Sequence, residues 1–503
     1  MSIKSTLARW IAQWVDRKVH RESLSAIAHQ KEWLQNLLLV GRKTVYGRDM
    51  HFDQINDHDD YRRLHPVRQY EDFIPYIDRI KNGEADVLWK GRPQYFAKTS
   101  GTTAGAKYIP ISKESMPHHI SAARNALLCY ITKSGNSAFV DGKMIFLQGS
   151  PELEYLKCGI PVGRLSGIVA HHIPQYLQKN RLPSFTNNCI DDWETKVNAI
   201  ADETLPERMT LISGIPSWVQ MYFEILIQKS GKKNIREIFP DFSLFVFGGV
   251  HFEPYRKRMQ ELIGDHVDIL ETFPASEGFF AFQDDYQKED LLLNTNAGIF
   301  YEFIEAQHYF DEQPVRLPLW EVKLNVNYAL IITTNAGLWS YSIGDTIKFT
   351  SIHPYRIKVT GRIKHYTSAF GEHVIAEEVD KAMSLTMEHF QFSIDEFHVA
   401  PKVNTENELP FHEWWIEAQH IYDRSDEIAR YLDSKMVEQN IYYRDLIMGK
   451  VLQPLKIQWV TPGTFHRAMK KQGKLGGQNK MPRLSNDRIF ADLLISAQSP
   501  TES

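Results

Sequence analysis

The chain has little cysteine. Cys129, Cys158 and Cys189 are the only three in 503 residues, an odd number with no ligand spacing between them. That argues against a disulfide framework and a cysteine-held zinc, and it points to a reducing compartment, the cytoplasm. Long apolar runs are also missing. Nothing approaches the ~18 residues of a membrane span, so no integral membrane contact is expected. There is no basic excess either: 58 Lys and Arg stand against 62 Asp and Glu, for a net charge of -4. A nucleic-acid partner would favour a basic domain or face, and none is expected here. Internal repeats and low-complexity segments are absent. The opening residues, MSIKSTLARWIAQWVDRKVH, lack the apolar core and small-residue cleavage site of a signal peptide. They read as an amphipathic helix with Ile3, Leu7, Ile11 and Val15 on one face. That face is expected to pack on the protein itself, with a membrane-surface role as the alternative.

What is present suits a globular protein with real cores: 43% hydrophobic and 24% charged residues. At ~100–200 residues per domain the length suggests two to four units. The first hundred residues read as mostly helical, with one helix closing near Gly41. Then short β-rich runs, KMIFLQGS, MTLISGIP, FSLFVFGG and HVDILETF, alternate with helical stretches such as PSWVQMYFEILIQKSGKK and EPYRKRMQELIG. Such alternation predicts α/β architecture. A β-rich tract follows, from VKLNVNYALIITTN to VTGRI. The remainder is mixed again, with a helix at HVIAEEVDKAM and strands at DEFHVAPKV and EWWIEAQ. The change near Gly361–Lys364 places a domain boundary after Arg362, giving residues 1–362 and 363–503.

The stretch FAKTSGTTAGAKYIPIS, residues 96 to 112, concentrates small and hydroxyl residues before Lys107. Backbone N–H groups of such a loop can converge on a phosphate, and hydroxyls and an ammonium add charge-assisted hydrogen bonds. It is not the common nucleotide loop, because three residues separate Gly101 from Gly105 and Ala106 precedes the lysine. A polar turn between two strands is the plainer reading. Five further stretches carry candidate chemistry: VFGGVHFEP with Gly248 and Gly249, ETFPASEGFF with Ser276 and Glu277, YSIGDTIKF with Asp345, VTGRIKHY with Arg362, and GGQNKMPR with Lys480 and Arg483. Singly, each reads equally well as a turn, a cap or a solvated charge. The adjacent His171 and His172 diverge too much to share a metal, Arg124 reads as a surface residue, and Trp414 with Trp415 as core.

The order of these motifs changes their weight. Together they resemble the adenylate-forming superfamily, and in detail the Gretchen Hagen auxin-responsive family of acyl-acid–amido synthetases, in a bacterial-type version. The resemblance spans nearly the whole chain and is most specific at TSGTTAGAKYIPIS, SEG, YSIGD and QNKMPR, with FHEWWIEA similar to the family's C-terminal domain. It implies an adenylate-forming architecture: a large N-terminal α/β domain with a β-rich subdomain, and a smaller, mobile C-terminal α/β domain. It implies a monomer that activates a carboxylic acid with ATP and Mg²⁺, then passes the acyl group to the amine of an amino acid. By the same resemblance Thr99, Ser100, Gly101, Thr102, Thr103 and Lys107 cradle phosphates. Gly248, Gly249, Phe273 and Ser276 lie beside the nucleotide, and Glu277 holds Mg²⁺. Asp345 takes the ribose hydroxyls, Arg362 marks the hinge, and Lys480 (rather than Lys474) supplies the late positive charge. Two positions depart from the family: Phe273-Pro274-Ala275-Ser276 replaces an aromatic followed by two hydroxyl residues, and Ser342 stands where arginine is frequent. An acyl-CoA synthetase and a non-catalytic nucleotide-binding protein are the alternatives.

Overall fold

The computed structural model describes residues 3–99, 107–173, 178–190, 192–248, 252–363, 366–367, 374–402, 408–419, 422–448, 451–473, 481–485 and 487–498. The chain forms two compact units. One is Met1–Val250, Leu262–Ile343 and Ile347–Val359; the other is His251–Glu261, Gly344–Thr346 and Thr360–Ser503.

The first unit opens with helix α1 (Ile3–Leu24). Its Ala12, Val15 and Val19 share a core with Ala122, Ala126, Cys129 and Tyr130 of the helix Met116–Ser134. This corrects the face read from the sequence. Val15 is buried at 3% exposure, but Ile3, Leu7 and Ile11 stand at 89%, 59% and 45%. The reason is size. Ser5, Ala12 and Ser23 on the buried side let the helix lie close to its neighbour without leaving voids.

A four-stranded sheet joins β1 (Tyr95–Thr99), β2 (Lys107–Ile111), β4 (Glu154–Tyr155) and β5 (Pro161–Gly163) in the order β2-β1-β5-β4. A twelve-stranded sheet follows. It contains β3 (Lys143–Phe146), β6 (Arg181–Leu182), β7 (Met209–Ser213), β8 (Leu244–Gly248), β9 (Asp268–Ala275) and β10 (Gly278–Phe282). It continues with β11 (Leu291–Leu293), β12 (Ile299–Glu305), β13 (Leu317–Pro318), β14 (Asn327–Thr334), β15 (Tyr341–Ile352) and β16 (Tyr355–Arg362). The order is β13-β12-β14-β15-β16-β11-β10-β9-β8-β7-β3-β6. Strands β6, β3, β7, β8 and β9 run parallel. Parallel neighbours need a crossover. Between β7 and β8 it is the helix Pro216–Ser230, whose Val219, Tyr222, Phe223 and Leu226 are fully buried. From β9 the pairing turns antiparallel through β10 and β11 to β16. Phe273, Phe280 and Ala281 feed one core cluster, while Leu270, Phe279 and Phe282 feed another. The pleat thus supplies two cores from one sheet. The alternating runs read from the sequence correspond to β3, β7, β8 and β9, as α/β architecture requires.

One buried polar network ties this unit together. Glu302 accepts from Arg316 at 3.4 Å and lies 3.0 Å from His58 Nε2, and Arg316 also donates to the carbonyls of Tyr61 and His65 at 3.1 and 2.6 Å. Burial alone would raise the Glu302 carboxyl, but Arg316, with His58 and Ser340, outweighs it and holds the group below its ordinary value.

In the second unit β17 (Tyr366–Thr367) pairs with β18 (Val374–Ile375), and a three-stranded sheet runs β19 (Glu396–Lys402), β20 (Phe411–Glu417), β21 (Lys456–Val460). Trp414 and Trp415, adjacent on β20, enter different cores, Trp414 stacking on Phe397 at 5.7 Å. Glu417 ends β20. Its two carboxyl oxygens accept from the backbone N–H groups of Gly463 and Phe465, each at 2.8 Å, at the start of the helix Thr464–Lys471. Burial outweighs these donors and pushes the carboxyl from an ordinary 4.5 up to about 7. In that window the folded protein holds a proton that the unfolded chain releases, so this contribution is greatest at the acidic end and falls as pH rises, by about 1.4 kcal/mol per unit. Glu417→Gln removes the titration. Measured by denaturant unfolding with tryptophan emission, the stability of wild type relative to the variant should fall from pH 5 to pH 7 with about that slope. A pH-independent difference would refute the assignment.

Candidate functional site

In the first unit, β1 and β2 form an antiparallel hairpin in which Thr99 pairs with Lys107. The intervening loop, with Ser100, Gly101, Thr102 and Thr103, lies outside the described residues. The flanking strands are those that the polar-turn reading of the loop named. The Lys107 ammonium is 5.3 Å from the ring centroid of Tyr70 and donates to the hydroxyl of Tyr341 at 3.5 Å, so two tyrosines flank its charged end. Tyr70 is itself fixed, its hydroxyl accepting from the Tyr108 N–H at 2.7 Å. Neither tyrosine was among the residues picked from the sequence, although Tyr341 opens the YSIGD motif.

Gly248 is the last residue of β8 and pairs with Thr272 of β9. A Cβ there would lie 2.4 Å from the Thr272 carbonyl oxygen and 2.8 Å from its hydroxyl oxygen. The Thr272 hydroxyl donates to the Phe247 carbonyl at 2.9 Å, so the two strand ends are held edge to edge. Gly249 lies outside the described residues. Phe273, one residue on, is 5% exposed and meets Phe280 edge to face at 5.2 Å. Its ring belongs to the core beneath the strand ends. Ser276 and Glu277 form the two-residue turn between β9 and β10, closed by the Ala275–Gly278 pair. Ser276 is buried and Glu277 half-buried. Gly248, Phe273, Ser276 and Glu277 are thus gathered at one end of two neighbouring strands.

Asp345 and Arg362 belong to the second unit. Arg362 Nε donates to Asp345 Oδ1 at 2.7 Å; the Asp345 side chain is 10% exposed and that of Arg362 43%. Asp345 lies within one continuous strand, β15, with Gly344 at φ +82° inside it. Cross-strand bonds flank the pair: Ile363 N–H donates to the Gly344 carbonyl at 2.7 Å, and the Thr360 hydroxyl to Thr346 at 2.9 Å. Ser342, the departure from the family pattern, accepts from the Tyr309 hydroxyl at 2.7 Å. Lys474 and Lys480 lie outside the described residues. Arg483 is an anchor: it donates to Glu396 at 2.6 Å and stacks over Phe397 at 4.6 Å. Of the weaker candidates, His171 lies 2.8 Å from the Pro151 carbonyl, His172 3.1 Å from the Tyr95 hydroxyl, and Arg124 is exposed. Among the described residues no group of three or more His, Cys, Asp or Glu could hold a metal.

Three family models match the chain in succession: the GH3 family N-terminal domain over residues 17–190, the central domain over 292–362 and the C-terminal domain over 377–489. Together they cover well over half of it. The chain is 21% identical to the jasmonoyl–L-amino acid synthetase GH3.5 of Oryza sativa subsp. japonica, over 94% of this chain and 95% of that one. Its fold matches the AtGH3.15 acyl acid amido synthetase solved in complex with 2,4-DB, with a TM-score of 0.79, 17% identity and coverage of 97% and 96%. A 2-hydroxyisobutyryl-CoA ligase solved with its acyl-AMP matches with a TM-score of 0.61, 12% identity and coverage of 93% and 91%.

Gly248 offers a direct test of the strand-end geometry. Because its neighbour is backbone, Gly248→Ala must part β8 from β9, at a cost of roughly 1–3 kcal/mol. Thermal unfolding should register this loss. A variant as stable as wild type would show that the strand ends do not approach so closely.

Proposed function

We propose, from the premise that this chain belongs to the GH3 family, that it joins a carboxylic acid to the amine of an amino acid at the expense of ATP. It is an acyl-acid–amido synthetase, an AMP-forming ligase. A carboxylate oxygen attacks the α-phosphorus of ATP, and pyrophosphate leaves with the electrons of the broken P–O bond. The amine nitrogen then attacks the acyl carbon, the C–O bond to AMP breaks, and the amine proton passes to solvent. The observation that carries this reading is the succession of three domains of one family from residue 17 to residue 489.

The residue roles follow from chemistry that relies on positioning and fixed charge. Thr99 to Thr103 and Lys107 cradle the phosphates, the lysine aimed by Tyr70 and Tyr341. Gly248 and Gly249 give the adenine a wall without side chains. Phe273 holds that wall from beneath, and Ser276 lies beside the nucleotide. Asp345 accepts from the ribose hydroxyls, with Arg362 fixing its carboxylate. Glu277 would hold Mg²⁺, which shields the triphosphate. A single half-buried carboxylate at a turn suits an ion that takes one or two carboxylates and completes its shell with phosphate and water. Lys480 neutralises charge during adenylation. In this reading the protein is a monomer of the cytoplasm, a reducing compartment that its three free cysteines suit.

The test crosses a panel of carboxylic acids with amino acids and with coenzyme A, read by pyrophosphate release and mass spectrometry. Amide products are expected. A thioester alone would make the chain an acyl-CoA synthetase, and no acid-dependent pyrophosphate exchange would leave a nucleotide-binding protein. A second test concerns the late lysine. Lys480→Ala should lose exchange by ~10²–10³ while still converting a supplied acyl-adenylate to amide, because a fixed charge matters most where charge moves. The same selective defect in Lys474→Ala would reassign the role.

A further inference from the structure

Helix α1 carries a second apolar face that the protein does not cover. Ile3, Leu7, Trp10, Ile11 and Trp14 are 89%, 59%, 74%, 45% and 65% exposed. Their spacing places them on one stripe of a 3.6-residue helix. The stripe lies on the side away from Ala12, Val15 and Val19, which pack on the helix Met116–Ser134. Two exposed tryptophans on one ridge are costly in water unless something meets them.

The charges say what. Among the 22 residues of α1, Lys4, Arg9, Arg17, Lys18 and Arg21 oppose only Asp16 and Glu22, in a chain that is acidic overall. Lys4, Arg17, Lys18 and Arg21 are exposed. Both acids are turned aside: Asp16 lies 4.0 Å from the Lys133 ammonium, and Glu22 3.7 Å from that of Lys18. No acid stands on the stripe. A second copy of this chain would bring like charges together. A convex ridge on one helix also falls far short of the ~20–30 residues per side of a stable protein interface. An acyl-chain boundary closes around a ridge, indole rings settle at the headgroup level, and anionic lipids attract the flanking cations. We propose that the outer face of α1 binds the surface of membranes rich in anionic lipid, lying in the plane of the interface and holding the enzyme there reversibly.

Sedimentation with phosphatidylcholine vesicles, with and without phosphatidylserine, tests this on the full-length protein. Wild type should bind the mixed vesicles, bind pure phosphatidylcholine far less, and be released by salt. The double variant Trp10→Ala/Trp14→Ala should lose about ten-fold or more in vesicle affinity. Lys18→Ala and Arg21→Ala should each lose about five-fold. Leu7→Asp, a second break in the stripe, should match the tryptophan variant. All four should keep wild-type circular dichroism and amide synthesis in solution. Absence of vesicle binding by the wild type overturns the proposal. So does equal, salt-insensitive binding to neutral vesicles. A concentration-dependent dimer in analytical ultracentrifugation that is lost in the tryptophan variant would instead assign the face to a second copy.

Discussion

The arrangement of the first unit turns on β9, where the large sheet changes sense. On one side β9 pairs parallel with β8, and on the other antiparallel with β10. A strand with a parallel partner delivers its carboxyl end to the edge where α/β sheets take ligands. A chain that must then pair antiparallel with the same strand has to reverse at that edge at once. Ser276 and Glu277 are the residues caught in this reversal. Polar side chains are therefore held at the strand ends by two sets of ladder bonds. The close approach of β8 sets the other wall, and only a residue without Cβ can end that strand beside the Thr272 carbonyl.

Buried charge appears where it is answered, and it braces each unit from inside. Glu302 and Arg316 are almost wholly enclosed, yet each has several hydrogen-bonding partners. In the second unit Glu396 accepts from Arg483 at 2.6 Å and from the Tyr255 hydroxyl at 2.7 Å. Such pairs add little net stability over an apolar core, but a lone survivor would be costly, so they disfavour every packing that separates them. Arg483 follows Lys480 by three residues in the chain, and its anchorage fixes the described segment 481–485.

The strands were legible because runs of four to eight residues rich in Val, Ile and Phe, bounded by turn residues, are shorter than most helices. The face of α1 was not. The helix has two apolar stripes, and periodicity finds both without saying which one packs. Close approach to the neighbouring helix selected the face with Ser5 and Ala12, whose small side chains look unremarkable in sequence. Lys107 was legible as a cation after a hydroxyl-rich loop. Its tyrosine guides were not, since Tyr70 and Tyr341 lie far from it in the chain and only the fold brings them in. The ring of Phe273 was read for its surface chemistry, and the pleat of β9 turned it into the core.

The glycines before Asp345 and Arg362 show why paired motifs inform more than single ones. A Gly-Asp in isolation suggests a turn, yet here it lies within one strand, β15. Gly344 has φ of +82° in the interior of β15, and Gly361 φ of +145° at the last position but one of β16. A positive φ within a strand re-aims the side chain that follows, as a bulge does. Both irregularities serve one contact, since the residues after them form the 2.7 Å ion pair. Gly361 leaves a side chain little room, because a Cβ would sit 2.9 Å from that of Ala376. A carboxylate so nearly enclosed is costly to bury without a partner, and the guanidinium supplies one. The pair thus ties the two strands through their side chains, beside the Ile363–Gly344 and Thr360–Thr346 bonds that tie them on either side.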